Sequence, residues 1–203
     1  MRAWCGAYPD RPVSVIIPPE TLIKAYRTGM FPMCHDDGEL YWHDPDPRAV
    51  FPLQDLEPDR RTARIIRSGR FVITRDADFA GVITCCADRD PTWIDERIKD
   101  SYIALHRAGH AHSVEAWKDG VLVGGIYGVA VGGAFFGESM FTRASNAGKV
   151  AFHALTTHLR TRGFVLFDSQ YINDLTAQLG AVEIPRARFQ QELKVAVTLD
   201  VTF

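Results

Sequence analysis

Three polar side chains in apolar, aromatic surroundings carry the chemistry this chain can offer. Glu138 lies within Phe135-Phe136-Gly137-Glu138-Ser139-Met140-Phe141, and Asp168 and Gln170 end the run Val165-Leu166-Phe167-Asp168-Ser169-Gln170. A carboxylate after such a run is expensive to bury without partners. Strand periodicity puts Asp168 and Gln170 on one face with Leu166. Two placements fit: Asp168 caps a turn beyond the strand, or the pair lines a cleft at the strand's end, where ligands often bind. Glu138 either faces solvent or is an anion that holds a cationic substrate group. Ile126, Phe135, Met140, Leu155 and Phe167 are ordinary core material; if a hairpin and a helix diverge here, they wall an apolar pocket instead. Polar groups converging on an apolar pocket suit acyl transfer.

Other residues offer recognition rather than reaction. Arg60, Arg61, Arg64, Arg67 and Arg70 recur at three- and four-residue steps, so Arg60, Arg64 and Arg67 share a helical face. A charge run is ordinarily a solvated face, but this one lacks the alternating acids of a salt-bridged helix, which leaves phosphate contact open. Trp42, His43 and Trp93 are candidates for stacking on a base, with aromatic core as the alternative for the tryptophans. His110 and His112 form an H-x-H pair with no third ligand at a convincing spacing, so no metal site is expected. Neither a Gly-rich nucleotide loop nor a G-x-S-x-G elbow is present.

The elements that must position these groups are legible. A helix is expected over 18–28, stopped by Gly29. The proline-rich stretch 31–58 reads as short strands and loops of a small N-terminal lobe, with a boundary near residue 56 and a main domain over 57–203. There, helices are expected over 60–68 and 78–87, and a third begins at Thr92 with Asp95 completing a capping box. Strands follow over 71–74 and 112–117, and Asp119-Gly120 signals a hairpin turn. Two long strands, 122–131 and 134–142, join at Gly132-Gly133. An amphipathic helix over 146–162 turns Val150, Leu155 and Leu159 inward, and a buried strand runs over 164–170. Short helices close the chain over 175–179 and 186–193. Antiparallel strands, a helix, then a further strand make an α+β, or mixed α/β, fold.

Bulk properties narrow the function classes. The chain has 203 residues, 46% hydrophobic and 24% charged, with a net charge of −2. The whole molecule therefore exerts no pull on nucleic acid, and any such binding is local. The four cysteines, Cys5, Cys34, Cys85 and Cys86, show no metal-ligand spacing and are expected as reduced thiols. No apolar run approaches the roughly 20 residues of a membrane span, and no signal-peptide pattern opens the chain. A cytoplasmic monomer is the expectation.

Together, the chain's motifs resemble the bacterial leucyl/phenylalanyl-tRNA–protein transferases. The matching tracts run from Gly29-Met30-Phe31-Pro32 through Trp42, Asp46-Pro47-Arg48, Thr92-Trp93-Ile94 and Ala111-His112-Ser113-Val114-Glu115. They continue with Gly124-Gly125-Ile126-Tyr127-Gly128-Val129, Gly137-Glu138-Ser139-Met140-Phe141, Asp168-Ser169-Gln170 and Glu183-Ile184-Pro185-Arg186. The resemblance implies transfer of Leu or Phe, and less well Met, from aminoacyl-tRNA to proteins with N-terminal Arg or Lys, marking them for degradation. It implies an acyl-CoA N-acyltransferase-like main domain working without a cofactor. It also implies a catalytic pair Asp168–Gln170, with Glu138 near the reacting groups. The apolar set, with Leu159, would hold the donor side chain, made bulky by Phe136 and Phe167. Trp42 and Trp93 would serve the substrate, and the arginine helix would meet the tRNA. The expected chemistry is aminolysis of an ester, with Asp168 orienting and polarising Gln170.

Two other functions remain open from the residues. One is an acyl-CoA-dependent N-acyltransferase, although the helix-opening loop Arg143-Ala144-Ser145-Asn146-Ala147-Gly148 is a damaged pyrophosphate cradle. The other is a non-catalytic binder of basic protein N-termini.

Overall fold

A computed structural model describes residues 16–203; Cys5 and the start of the chain lie outside the described residues. Helix α1 (Pro19–Tyr26) begins with proline at its first position, where the missing N–H costs nothing. Strands β1 (Phe31–Cys34) and β2 (Leu40–His43) form a two-stranded antiparallel sheet. The third strand of this proline-rich stretch, β3 (Arg48–Phe51), does not stay with them. It is hydrogen-bonded into the large sheet because all four of its residues are buried.

Helix α2 (Arg60–Arg67) follows, capped by Asp59, whose carboxylate accepts from the Thr62 amide at 2.8 Å. Then come β4 (Val72–Arg75), α3 (Phe79–Ala87) and α4 (Glu96–Arg107). The expected start at Thr92 is corrected: Asp95 is itself the cap of α4, its side chain accepting from Ile98 N at 2.8 Å. A lone carboxylate does the work assigned to a reciprocal box. Strands β5 (Ala111–Lys118), β6 (Val121–Val131) and β7 (Ala134–Thr142) make a meander. Helix α5 (Ala147–Arg162) crosses over to β8 (Leu166–Gln170). Short α6 (Asp174–Gln178), β9 (Val182–Ile184) and α7 (Arg186–Ala196) complete the chain.

The seven-stranded sheet has the order β4-β5-β6-β7-β8-β3-β9 and is antiparallel except between β7 and β8. A parallel pair needs a long crossover, which α5 supplies. Helices on both faces make this the mixed α/β arrangement anticipated. One core contains Tyr26, Ile98, Tyr102, Phe136 and Phe189; the other contains Phe51, Phe135, Phe152, Leu155, Leu159 and Phe167.

The junction of β7 and β8 positions the site. They pair at Ala134↔Leu166, Phe135↔Phe167 and Phe136↔Asp168, and no further. Both strands continue, β7 to Thr142 and β8 to Gln170, so they splay beyond the last pair. The splay opens the sheet between Gly137–Met140 and Ser169–Gln170.

Candidate active site

Across the splay, Gln170 Nε2 donates to Glu138 Oε1 at 3.0 Å. The same oxygen accepts from Tyr26 Oη at 2.7 Å, and Tyr102 Oη donates to Glu138 Oε2 at 3.3 Å. The two tyrosine hydroxyls also touch each other, so with Tyr26 donating to Glu138 the single Tyr102 proton is divided between Tyr26 Oη and the longer contact to Glu138 Oε2. Burial pushes the Glu138 carboxyl up to about 8; the Tyr26 and Tyr102 hydroxyls pull it down and the charge of Asp168 pushes it up. The residue keeps some surface at the splay, yet protein encloses its carboxylate. Burial raises both tyrosines well above their usual range, and Glu138's charge adds to the effect.

Asp168 sits behind this group, fully buried. Arg48, also fully buried, grips it with two bonds: Nε to Oδ1 at 2.9 Å and Nη2 to Oδ2 at 2.6 Å. The guanidinium lies 4.3 Å from the Phe189 ring centroid and 5.1 Å from that of Phe31. Its Nη1 is left with Asp44 Oδ1 at 3.6 Å, beyond hydrogen-bond range. Asp168 Oδ1 further accepts from the backbone N of Gln170 at 3.0 Å. That bond spans two residues and holds Gln170 at φ 59, a left-handed conformation rare outside glycine.

These contacts correct the expected arrangement. Asp168 does not touch the Gln170 side chain; it fixes the backbone from which that side chain projects. The carboxylate meeting the Gln170 amide is Glu138. The reason is topological: β3 pairs with β8 and brings Arg48 beside Asp168, while the splay leaves Glu138 facing Gln170. Arg48, Tyr26 and Tyr102 were not singled out as functional from sequence. Arg48 stood in the Asp46-Pro47-Arg48 tract, and a buried carboxylate's need for a cation was the signal that could have found it.

Two cavities meet at Glu138, Ser169 and Gln170. The larger, about 130 Å³, is walled by Phe51, Ile126, Met140, Phe152 and Phe167, with Leu175 and Leu179 over it. The smaller, about 110 Å³, is walled by Phe31, Met33, Trp93 and Tyr171. Of the pocket residues expected from sequence, the structure brings together Ile126, Met140 and Phe167 in the first cavity and Trp93 in the second. Phe135, Leu155 and Leu159 are corrected to core: Leu155 and Leu159 turn into the packing beneath the sheet, and Phe135 packs on Phe164 and Phe167. Phe136 lies on the opposite face against Tyr26. Trp42 is exposed on β2 and lines neither cavity. His43 stacks on Phe31 and its Nδ1 lies 2.9 Å from Tyr171 Oη.

Arg60, Arg61, Arg64, Arg67 and Arg70 are all exposed, and none forms an ion pair among the described residues. His112 bonds Asp76 at 2.8 Å and stacks on Phe203, so its ring is already committed. In the loop 143–148, Arg143 pairs with Asp88, and a side chain at Gly148 would strike Thr142. No helix of the described residues is long and apolar enough to cross a membrane.

Comparison with known proteins bears on what this arrangement serves. Residues 50–194 match the family described as leucyl/phenylalanyl-tRNA protein transferase, and residues 17–46 match the N-terminal domain of that family. A leucyl/phenylalanyl-tRNA–protein transferase of Gloeobacter violaceus is 51% identical over 190 residues, 93% of this chain and 98% of that protein. One from Ruegeria pomeroyi is 49% identical, covering 89% of this chain and 87% of its own length. One from Rubrobacter xylanophilus is 48% identical, covering 91% and 97%.

Proposed function

Because the chain belongs to the leucyl/phenylalanyl-tRNA–protein transferase family, we propose that it moves leucine or phenylalanine, and less well methionine, from aminoacyl-tRNA to the α-amino group of proteins with N-terminal Arg or Lys. The product is then marked for degradation. The protein works in the cytoplasm as a monomer. The observation that carries this reading is the pair of cavities sharing Glu138, Ser169 and Gln170. The donor side chain occupies the apolar cavity. The terminal adenosine occupies the aromatic one beside Trp93. The ester carbonyl then falls at the shared residues.

The acceptor nitrogen attacks that carbonyl carbon, the new C–N bond forms, and the bond to the ribose oxygen breaks. An ester is already activated, so holding amine and ester together can supply roughly 7–11 kcal/mol. Gln170 Oε1 is free to accept a hydrogen bond from the amine, because its Nε2 is tied to Glu138. The α-ammonium, with a reference pKa of about 8, must lose a proton. Glu138, held at about 8, is matched to take it. The departing ribose oxygen takes up a proton in turn, relayed through water or Glu138. Asp168, locked to Arg48, positions Gln170. The exposed arginines of α2 and Arg70 meet the tRNA phosphates.

The test is direct. Purified protein, Leu-tRNA and an Arg-initiated peptide are mixed and the peptide's mass is read. A gain of one leucine, abolished by RNase, is expected. No gain, with tRNA intact and the peptide bound, refutes the reading in favour of a non-catalytic binder.

A further inference from the structure

We propose that the groove between α2, β4 and α5 is a second ligand site, built for a small organic anion with an apolar body. The inference does not depend on the transferase reading, because the groove shares no lining residue with the two cavities at Glu138.

The groove holds about 610 Å³, against about 130 and 110 Å³ at the catalytic end. Sites for small organic ligands occupy roughly 300–1,000 Å³. Three segments supply its apolar lining: Ile66 from α2, Phe71 and Ile73 at β4, and Val150 and Ala154 from α5.

Two histidines of α5 line it as well, and neither ring is satisfied. His153 is only 8% exposed, and its Nδ1 is sealed in without a hydrogen-bond partner. His158 Nε2 is in the same state, its ring resting edge-on against Phe203 at 4.5 Å. The other nitrogen of each ring has no partner among the described residues and is not sealed in, which leaves it open to an incoming group. The nearby threonines do not serve the rings: Thr157 and Thr161 donate to backbone carbonyls of α5. Burial lowers the pKa of both imidazoles, and the charges of Arg75 and Arg162 lower His158 further. Each ring is therefore neutral at pH 7, with one N–H to donate and one nitrogen to accept. Buried polar groups are ordinarily bonded, and a ligand supplies what the fold does not.

Charge sets the sign of that ligand. Arg75, Arg160 and Glu57 are the charged residues lining the groove. Glu57 already receives Arg160 Nη1 at 3.1 Å. Arg75 is exposed and forms no ion pair among the described residues, yet its charge acts on the His158 ring. An uncommitted guanidinium beside a neutral N–H donor suits a carboxylate, sulfonate or phosphate head. The body of such a molecule then lies on Phe71, Ile73 and Ala154. A cation would meet Arg75 and find no uncommitted acid to hold it.

The test uses two probes with the same apolar body. Anilinonaphthalene sulfonate carries an anionic head, and phenylnaphthylamine lacks it. Fluorescence titration of folded wild-type protein is expected to show a single site for the sulfonate, with binding of the neutral amine weaker by roughly tenfold, the worth of one hydrogen bond to a charged group. In NMR spectra, saturating sulfonate should move the ring signals of His153 and His158. Those of His35 and His43, paired near Phe31 at the catalytic end, should stay. Ala154→Trp fills the groove and should abolish sulfonate binding. Arg75→Gln should weaken it severalfold and leave the neutral amine unchanged. The two-probe comparison and the NMR shifts need no substitution, so they stand even if a variant fails to fold. Equal affinity for both probes overturns the assignment of an anion. Unmoved His153 and His158 signals, or a folded Ala154→Trp variant that binds as wild type does, overturn the site. Displacement of the sulfonate by uncharged tRNA would make the groove part of the tRNA face and overturn a separate ligand.

Discussion

Two carboxylates lie where β7 and β8 part, and the fold treats them in opposite ways. Asp168 has a guanidinium on both oxygens and a backbone amide besides. Glu138 has no cation in contact; it is held by hydroxyls and an amide, and burial pushes it up to about 8. An acid ion-paired on both oxygens is a fixture. An acid held only by neutral donors is poised to exchange a proton near neutrality. In the proposed reaction chemistry falls to Glu138 and architecture to Asp168, although both contact Gln170, one through its side chain and the other through its backbone.

The largest expected effects would break this contrast if they failed. Glu138→Gln keeps the shape but cannot accept a proton, and single-turnover transfer should drop about 10²- to 10⁴-fold. Asp168→Asn should lose much less, since it retains an oxygen for Arg48 and the Gln170 amide. Equal losses in two folded variants would erase the division of labour. Arg48→Met strands Asp168 in the core without a cation. Breaking one side of a buried pair costs about 3–5 kcal/mol, so its urea midpoint should fall far below those of wild type and Glu138→Gln. A midpoint near wild type would mean that the pair is not structural.

The pH dependence of stability is the next largest effect. Folding raises the Glu138 carboxyl from a reference near about 4.3 to about 8. Between those values the folded state keeps a proton that the unfolded chain has lost, so stability falls as pH rises and levels off above about 8. The loss is on the order of a few kcal/mol, reduced by solvent at the splay. Urea midpoints at pH 5, 7 and 9 would show the decline in wild type, while Glu138→Gln, always neutral, should lack it. Transfer rate should run the other way, climbing with pH toward about 8 as Glu138 ionises. The acceptor amine titrates nearby, so the informative quantity is the difference between the two enzymes.

Much of this was readable from the chain and some was not, for physical reasons. The meander, the α5 crossover and the strand ending at Gln170 announced themselves through apolar periodicity and turn glycines, which are local signals. The strand at Arg48–Phe51 did not, because four residues among prolines carry too little pattern. Its place beside β8 is a long-range fact, and Arg48's role came with it. Tyr26 and Tyr102 lie within the expected helices, and nothing local shows where a hydroxyl points. Leu155 and Leu159 followed the inward stripe of α5 as anticipated, but Phe152 is the α5 residue that reaches the cavity. Which inward residue meets an opening depends on where strands part, and pairing registers are not written in periodicity.

The smallest effect tests how finely Glu138 is held. Tyr26 reaches Oε1 at 2.7 Å, the oxygen that also receives Gln170, whereas Tyr102 reaches Oε2 at 3.3 Å, near the outer limit of a hydrogen bond. Each bond favours the ionised acid, and the shorter one favours it more. Tyr26→Phe should therefore move the midpoint of the pH–rate profile further upward than Tyr102→Phe. At pH 7 it should slow transfer by about two- to fivefold, the worth of one ordinary hydrogen bond. Since the two hydroxyls also touch each other, the double variant should exceed either single change by less than their product. A larger upward move from Tyr102→Phe would show that the second oxygen governs the proton, and that the amine approaches Glu138 from the side of α4.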